Sequence, residues 1–369
     1  MEIMNTITVF ETADQRKWAT IAFEQFISRK EAELEKQIDN EISKLKSFED
    51  VKKWQQRVRS QLNDILGEFP KRTPLRPRIV GKIERSDIIV EKIIFESQPR
   101  YYITANLYIP KKHPLPAPGI LVPCGHTAQG KGFRLYRDTG IALARMGYVA
   151  LVYDPTGQGE RSECFDPKTR RHIVSRTVSQ HHWTGKPCFL TGMTLAGYRT
   201  WDGIRSLDYL CSRKEVDANR IGVMGNSGGG AMTLLITAVD ERVKVCATAH
   251  PGGSMENTHL RGRRPPDRRI YSLIPPRPCR IIVGRESGEE EHRVKFEIMK
   301  PFYEACGCPE RLDFVLVDGK HDLKRPKREA AYEWLNRWLE RTGESAIEPR
   351  FRTISERRLW CTKNGQVIY

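Results

Sequence analysis

Between Ile79 and Pro110 the apolar and β-branched residues fall into three short runs, Ile79 to Glu84, Ile88 to Phe95 and Tyr101 to Tyr108. Turn formers Ser86-Asp87 and Gln98-Pro99 separate them. That rhythm predicts an antiparallel meander at a sheet edge. From Pro118 the pattern changes: the buried-type run Gly119 to Val122, a helical stretch near 134 to 146 and the run Tyr148 to Tyr153 make a βαβ unit. Further strands at Arg220 to Met224, Val243 to Ala249, Cys279 to Gly284 and Leu312 to Val317 alternate with helices, which predicts a doubly wound, mostly parallel sheet.

Ahead of the meander the period is helical. Residues 12 to 46 read as a charged amphipathic helix with Leu34, Ile38, Ile42 and Leu45 on one face. A second helix carries Val51, Trp54, Val58, Leu62 and Ile65, with Ser47 as cap, Asp50 as its acidic partner and Gly67 as stop. This pair reads as an appendage packed on the main domain, the alternative being a cap or an arm for homo-oligomer formation. The last helix places Ala331, Trp334, Leu335, Trp338 and Leu339 in a core-facing stripe. The division is therefore an N-terminal helical extension at 1–75, a catalytic domain at 76–342 with a pocket-forming insertion at 155–197, and a basic tail at 343–369 whose role its pattern does not reveal.

Composition narrows the class. Lys and Arg number 62 against 46 Asp and Glu, a net charge of +16. The excess is spread out and no nucleic-acid-binding motif accompanies it, so nucleic acid is not the expected partner. No run of 18 apolar residues suggests a membrane span, and no leader pattern opens the chain. The nine cysteines lack a CxxC pair, which fits reduced thiols in a cytoplasm. His181-His182 has no ligand partner at metal spacing, so neither metal nor cofactor is expected and chelators should leave activity untouched.

The chemistry centres on Ile221 to Gly230, an apolar strand running into Gly225-Asn226-Ser227-Gly228-Gly229 and then a helical pattern. A serine at such a reversal is a nucleophile candidate, because flanking glycines let strand and helix pass closely and the new helix aims backbone N–H groups at the developing oxyanion. The pentapeptide alone is weak; the strand before it, the helix after it and a histidine downstream supply the context. His321, in the loop after the final strand, is the expected base, with His250 its nearest competitor. Gly228 and a residue of the loop 123–131, His126 or else Thr127, are the expected oxyanion donors through their N–H groups.

Several stretches together are similar to the α/β-hydrolase superfamily, and within it to acetyl xylan esterase and dienelactone-hydrolase-like serine esterases. They are Phe69 to Leu75, Val122 to His126, Asp154-Pro-Thr-Gly-Gln-Gly-Glu-Arg161, Thr200 to Gly203, Val216 to Gly229 and His321. The elbow also resembles prolyl-oligopeptidase-like peptidases, whose propeller domain this length does not accommodate. The resemblance implies a metal-independent esterase taking small acyl groups, acetyl among them, from a carbohydrate or similar small ester. A serine peptidase and a catalytically inactive basic scaffold are the alternatives. Such relatives carry an Asp about three residues past the glycine ending the penultimate strand; here Gly284 is followed by Glu286, Glu289, Glu290 and Glu291. Glu286 is the first choice for the acid, Glu289 the second, with Glu290 and Glu256 also open; Asp322 is too close to His321 in sequence and Asp318 lies before the turn. Arg261, Arg263, Arg264, Arg268 and Arg269 are candidates for steering anionic substrates, with a solvated basic loop as the simpler reading.

Overall fold

Nine of the strands form one twisted sheet in the computed structural model, which describes residues 12–252 and 268–367. In chain order they are β1 (Arg78–Glu84), β2 (Ile88–Gln98), β3 (Tyr101–Pro110), β4 (Ala117–Pro123), β5 (Val149–Tyr153), β8 (Val216–Asn226), β9 (Val243–Ala249), β10 (Cys279–Gly284) and β11 (Leu312–Val317). Two-residue strands β6 (Phe165–Asp166) and β7 (Arg171–His172) pair separately as a small hairpin. The helices are α1 (Ala13–Ile42), α2 (Phe48–Ser60), α3 (Leu62–Leu66), α4 (Arg134–Arg145), α5 (Val178–Cys188), α6 (Leu195–Cys211), α7 (Gly228–Val239), α8 (Glu289–Ala305), α9 (Arg325–Trp338) and α10 (Glu356–Leu359).

The strand order is β1-β2-β3-β5-β4-β8-β9-β10-β11. The expected meander β1 to β3 lies at one edge and joins β5 antiparallel; every pairing from β5 through β4 to β11 is parallel. Because β4 has β5 on one side and β8 on the other, the chain reverses its direction of growth there. The loops leaving the carboxyl ends of β4 and β8 therefore diverge and leave a crevice, where open parallel sheets bind their ligands.

Fully buried β4, β5 and β10 fit strands covered on both faces. On one face α2 inserts Val51, Trp54 and Val58 into the core, and the Trp54 indole N–H donates to Ser272 Oγ at 2.8 Å. Ser47 caps α2 as expected, accepting from the Asp50 N–H at 3.2 Å. The helical run nevertheless breaks at Gln61, whose φ/ψ of −98°/0° starts α3 afresh, and Gly67 ends it with φ +88°. Of the expected face of α1, Ile38 and Ile42 pack on the core while Leu34 stays exposed. In α9, Ala331, Trp334, Leu335 and the following Leu339 are buried and Trp338 is half-buried, so the stripe is slightly narrower than the sequence implies.

Among the described residues no helix is long and apolar enough to cross a membrane.

Candidate active site

Ser227 sits between the end of β8 and the first residue of α7 with φ +59° and ψ −125°, a conformation that costs a non-glycine residue roughly 1–3 kcal/mol. Surrounding backbone holds it there: its N–H donates to Ala249 O at 2.9 Å, and its carbonyl accepts from Ala231 N at 2.9 Å and Gly252 N at 3.0 Å. The flanking glycines are spatial necessities. A Cβ on Gly225 would come within 2.5 Å of Gly229 O, and one on Gly229 within 2.2 Å of Pro123 O. The elbow is thus wedged against the end of β4, beside the crevice.

The loop after β4 lies directly over this turn. A Cβ on Gly228 would meet His126 Cε1 at 2.7 Å, so the His126 ring covers the start of α7. Both sides of the Gly125 peptide are engaged: its N–H donates to Tyr136 Oη at 2.6 Å, and its carbonyl accepts from Gln158 Nε2 at 2.7 Å. The Gly125 N–H is consequently taken by Tyr136.

His321, in the loop after β11, reaches the same place. Its ring stacks on His250 with centroids 4.5 Å apart and planes 18° from parallel, and His292 lies 6.2 Å away. Burial depresses its imidazole below the ordinary value, with Glu291 and Asp322 pulling it back up. A neutral ring over the neutral pH range is what a general base requires.

His250, the competitor, is occupied on both nitrogens. Nε2 accepts from the Gly284 N–H at 2.8 Å, so the proton sits on Nδ1 and is donated to Asn226 Oδ1 at 3.0 Å. Burial, reinforced by the charges of His321 and His292, pushes its pKa down to about 3. It is a fixed spacer joining Asn226, beside Ser227, to the end of β10 and to the face of His321. From the sequence His250 is only a competitor of His321 for the base; its position at the end of β9 is the available signal of this other role.

The carboxylates fall differently from the expected order. Glu289 is paired with Arg293 one turn along α8, and Glu286 is exposed, with its backbone N–H bonded to Gly319 O at 3.2 Å. Glu290 faces a cleft with Asp39 and Arg293. Among the described residues, the carboxylates of Glu291 and Asp322 act on His321. Asp322 is held by Lys327 at 2.9 Å and Lys324 at 3.2 Å, whereas Glu291 is exposed at the start of α8, next to His292. Glu256 lies outside the described residues, as do Arg261, Arg263, Arg264 and the side chain of Arg268; Arg269 Nη1 donates to Gln61 at 2.7 Å.

A buried charge cluster joins the loops that follow β4 and β5. Lys131 Nζ bonds Asp154 Oδ2 at 2.6 Å and also Glu160, all three side chains being at most 2% exposed. Burial works to raise the Glu160 carboxyl, but Lys131 and the Cys361 N–H outweigh it and leave it below its usual value. His181 is buried with Nε2 2.9 Å from Thr156 O, while His182 is exposed, so the adjacent pair diverges. Among the described residues no group of three His, Cys, Asp or Glu is placed to hold a metal ion.

The family model described as Acetyl xylan esterase (AXE1) matches residues 80–254. A Bacillus subtilis (strain 168) protein named Putative hydrolase YtaP is 30% identical over 310 residues, 76% of this chain and 98% of that one. Among solved structures, Methylesterase BT1017 superposes with a TM-score of 0.61 at 22% identity, covering 86% of this chain and 70% of its own. A glucuronoyl esterase from Solibacter usitatus gives 0.56 at 16% identity, covering 79% and 93%. A putative acetyl xylan esterase from Bacteroides fragilis gives 0.55 at 19%, covering 73% and 76%. The likeness to these structures is one of fold, and the fold is that of the α/β-hydrolases.

Proposed function

The chain belongs to the acetyl xylan esterase family and is a carboxylic-ester hydrolase, and from that premise we propose that Ser227 is its nucleophile and His321 its general base. The observation that carries the assignment is the strained Ser227 elbow opening into the same crevice as the His250–His321 stack. Ser227 Oγ attacks the ester carbonyl carbon while His321 accepts its proton. The N–H of Gly228 and one from the β4 loop, His126 being the nominated residue, receive the oxyanion. Collapse breaks the bond to the alkoxy oxygen, which leaves with the proton from His321. Water, deprotonated by His321, then attacks the acyl-enzyme and regenerates Ser227.

For the acid we propose Glu291, next to His292, whose ring lies 6.2 Å from that of His321, over Glu289, which Arg293 engages, and over Glu286; the Glu291 charge acts on His321 in the direction a triad carboxylate would. The family description supports acetyl as the acyl group and a carbohydrate as its carrier. We take residues 76–342 as the catalytic domain and, since all nine cysteines are free, a reducing cytoplasm as its setting.

Chromogenic esters of increasing acyl length, an acetylated xylo-oligosaccharide and a matched amide, each assayed with and without EDTA, test the reading. Turnover should be greatest for acetyl, indifferent to chelator and negligible for the amide. Comparable amide cleavage would make the protein a peptidase, and loss with EDTA restored by a divalent metal would overturn the mechanism.

A further inference from the structure

Beyond α10 the chain returns to the loop that follows β5 and packs against it. Glu160 in that loop receives the Cys361 N–H at 2.7 Å, the Thr362 N–H at 2.8 Å and the Thr362 hydroxyl at 2.7 Å. Its backbone carbonyl accepts from Val367 N at 2.8 Å, and the neighbouring Ser162 N–H donates to Gln366 Oε1 at 3.3 Å. Five bonds thus tie residues 361–367 to two residues of one loop.

That loop leads to the reaction centre by short steps. Glu160 shares Lys131 with Asp154, and Asp154 also accepts from the Lys131 N–H at 2.7 Å, Thr104 Oγ1 at 2.7 Å and the Glu160 N–H at 3.2 Å. Between these two anchored carboxylates stands Gln158, fully buried, whose amide holds the Gly125 carbonyl at 2.7 Å and reaches Thr127 O at 3.4 Å. Gly125 and Thr127 flank His126, which covers Gly228. An oxyanion donor displaced by a fraction of an ångström loses much of its effect, because it must meet charge that exists only in the transition state.

We propose that residues 361–367 are a positioning clasp for the oxyanion loop, acting through Glu160 and Gln158 on the carbonyls of Gly125 and Thr127, the residues either side of His126. Removing the clasp takes three hydrogen bonds from the Glu160 carboxylate, leaves it on Lys131, and so loosens Gln158 and lets the loop over Gly228 drift. Substrate binding and the base are left alone. This rests on the reading that the β4 loop supplies an oxyanion donor to a Ser227 acyl-transfer reaction.

Three changes to the full chain test it: truncation after Trp360, the pair Thr362→Ala with Gln366→Ala, and Gln158→Ala. Each is assayed on an acetyl ester alongside far-UV circular dichroism and thermal melting. The truncation should cost at least tenfold in kcat with KM within about twofold and the acid limb of the pH profile unmoved, since His321 is untouched. A synthetic peptide spanning residues 361–369 should restore part of the loss. Combining the truncation with Gln158→Ala should be no worse than Gln158→Ala alone, because both act on one carbonyl.

If the truncated protein melts earlier yet keeps full kcat when folded, the clasp is merely structural and the inference fails. Multiplying effects of truncation and Gln158→Ala would also defeat it. Should the truncation not fold, the Thr362/Gln366 pair decides: a severalfold fall in kcat at unchanged KM supports the clasp, and full activity overturns it. Ser227→Ala run in parallel separates the two levels. Activity that survives it removes the underlying reading, whereas activity that depends on Ser227 but ignores the tail removes only this inference.

Discussion

The elbow at Ser227 and the loop at 154–163 lie on either side of the Gly125 peptide, yet they are held by opposite means. The elbow is kept chiefly by exclusion: three successive glycines, backbone passing at distances no Cβ would tolerate, main-chain hydrogen bonds on both sides of Ser227, and neutral side chains such as Thr233 and Thr248 on the glycine carbonyls. The loop is kept by attraction, through Lys131 between Asp154 and Glu160 and through Arg161 on Asp202 at 2.7 Å, all buried. Steric exclusion is stiff and short-ranged, which suits a proposed nucleophile. A buried ion cluster holds a longer segment, but only while every partner is present, since an uncompensated charge in the interior is expensive.

The largest effect tests the elbow. Ser227→Ala should lower ester turnover by several orders of magnitude while leaving the melting temperature nearly unchanged, because a partly exposed hydroxyl is lost and no core volume with it. Wild-type turnover by the folded variant would refute the nucleophile. Gly229→Ala breaks the exclusion itself: the new methyl would sit 2.2 Å from Pro123 O, so kcat should fall at least tenfold along with a stability loss of about 1–3 kcal/mol. An active, fully stable variant would mean that the β4 end yields without cost.

For the loop, Lys131→Met strands two buried carboxylates and should destabilise the fold by about 3–5 kcal/mol in urea titration. The loss should shrink as pH falls and the carboxylates protonate. A neutral result would show that water enters the cluster. The smallest shift expected is on the base. Burial already lowers the His321 pKa, so the acid limb of kcat/KM should lie below the ordinary imidazole value. Glu291 acts in the raising direction, so Glu291→Gln should move that limb still lower while reducing kcat on the plateau. An unmoved limb, or one that rises, would disqualify Glu291.

The same contrast explains what could be read in advance. The elbow is local: a strand, five residues and a helix are contiguous, and the physics that needs Gly225 and Gly229 leaves a mark in the order of residues. So does the cap of α2, where Ser47 and Asp50 are three apart. The acid is harder, because which glutamate faces His321 depends on where α8 begins; the helix starts at Glu289, which turns that residue toward Arg293 and leaves Glu291 as the proposed acid. The interruption at Gln61 leaves the apolar spacing of Val58, Leu62 and Ile65 intact and so escapes detection by periodicity. The ion cluster is least legible of all, since Lys131, Asp154, Glu160 and Cys361 have no fixed spacing and each alone looks like a solvated or spectator residue.

The bond from Cys361 to Glu160 spans 201 positions of sequence. A link of that length forms only after the sheet between its ends is in place, and it is among the first to part when the structure opens from its margins. Two thresholds follow for one molecule. In rising denaturant the capacity to turn over substrate should disappear while the helices and strands still report a folded protein, and on refolding it should return last.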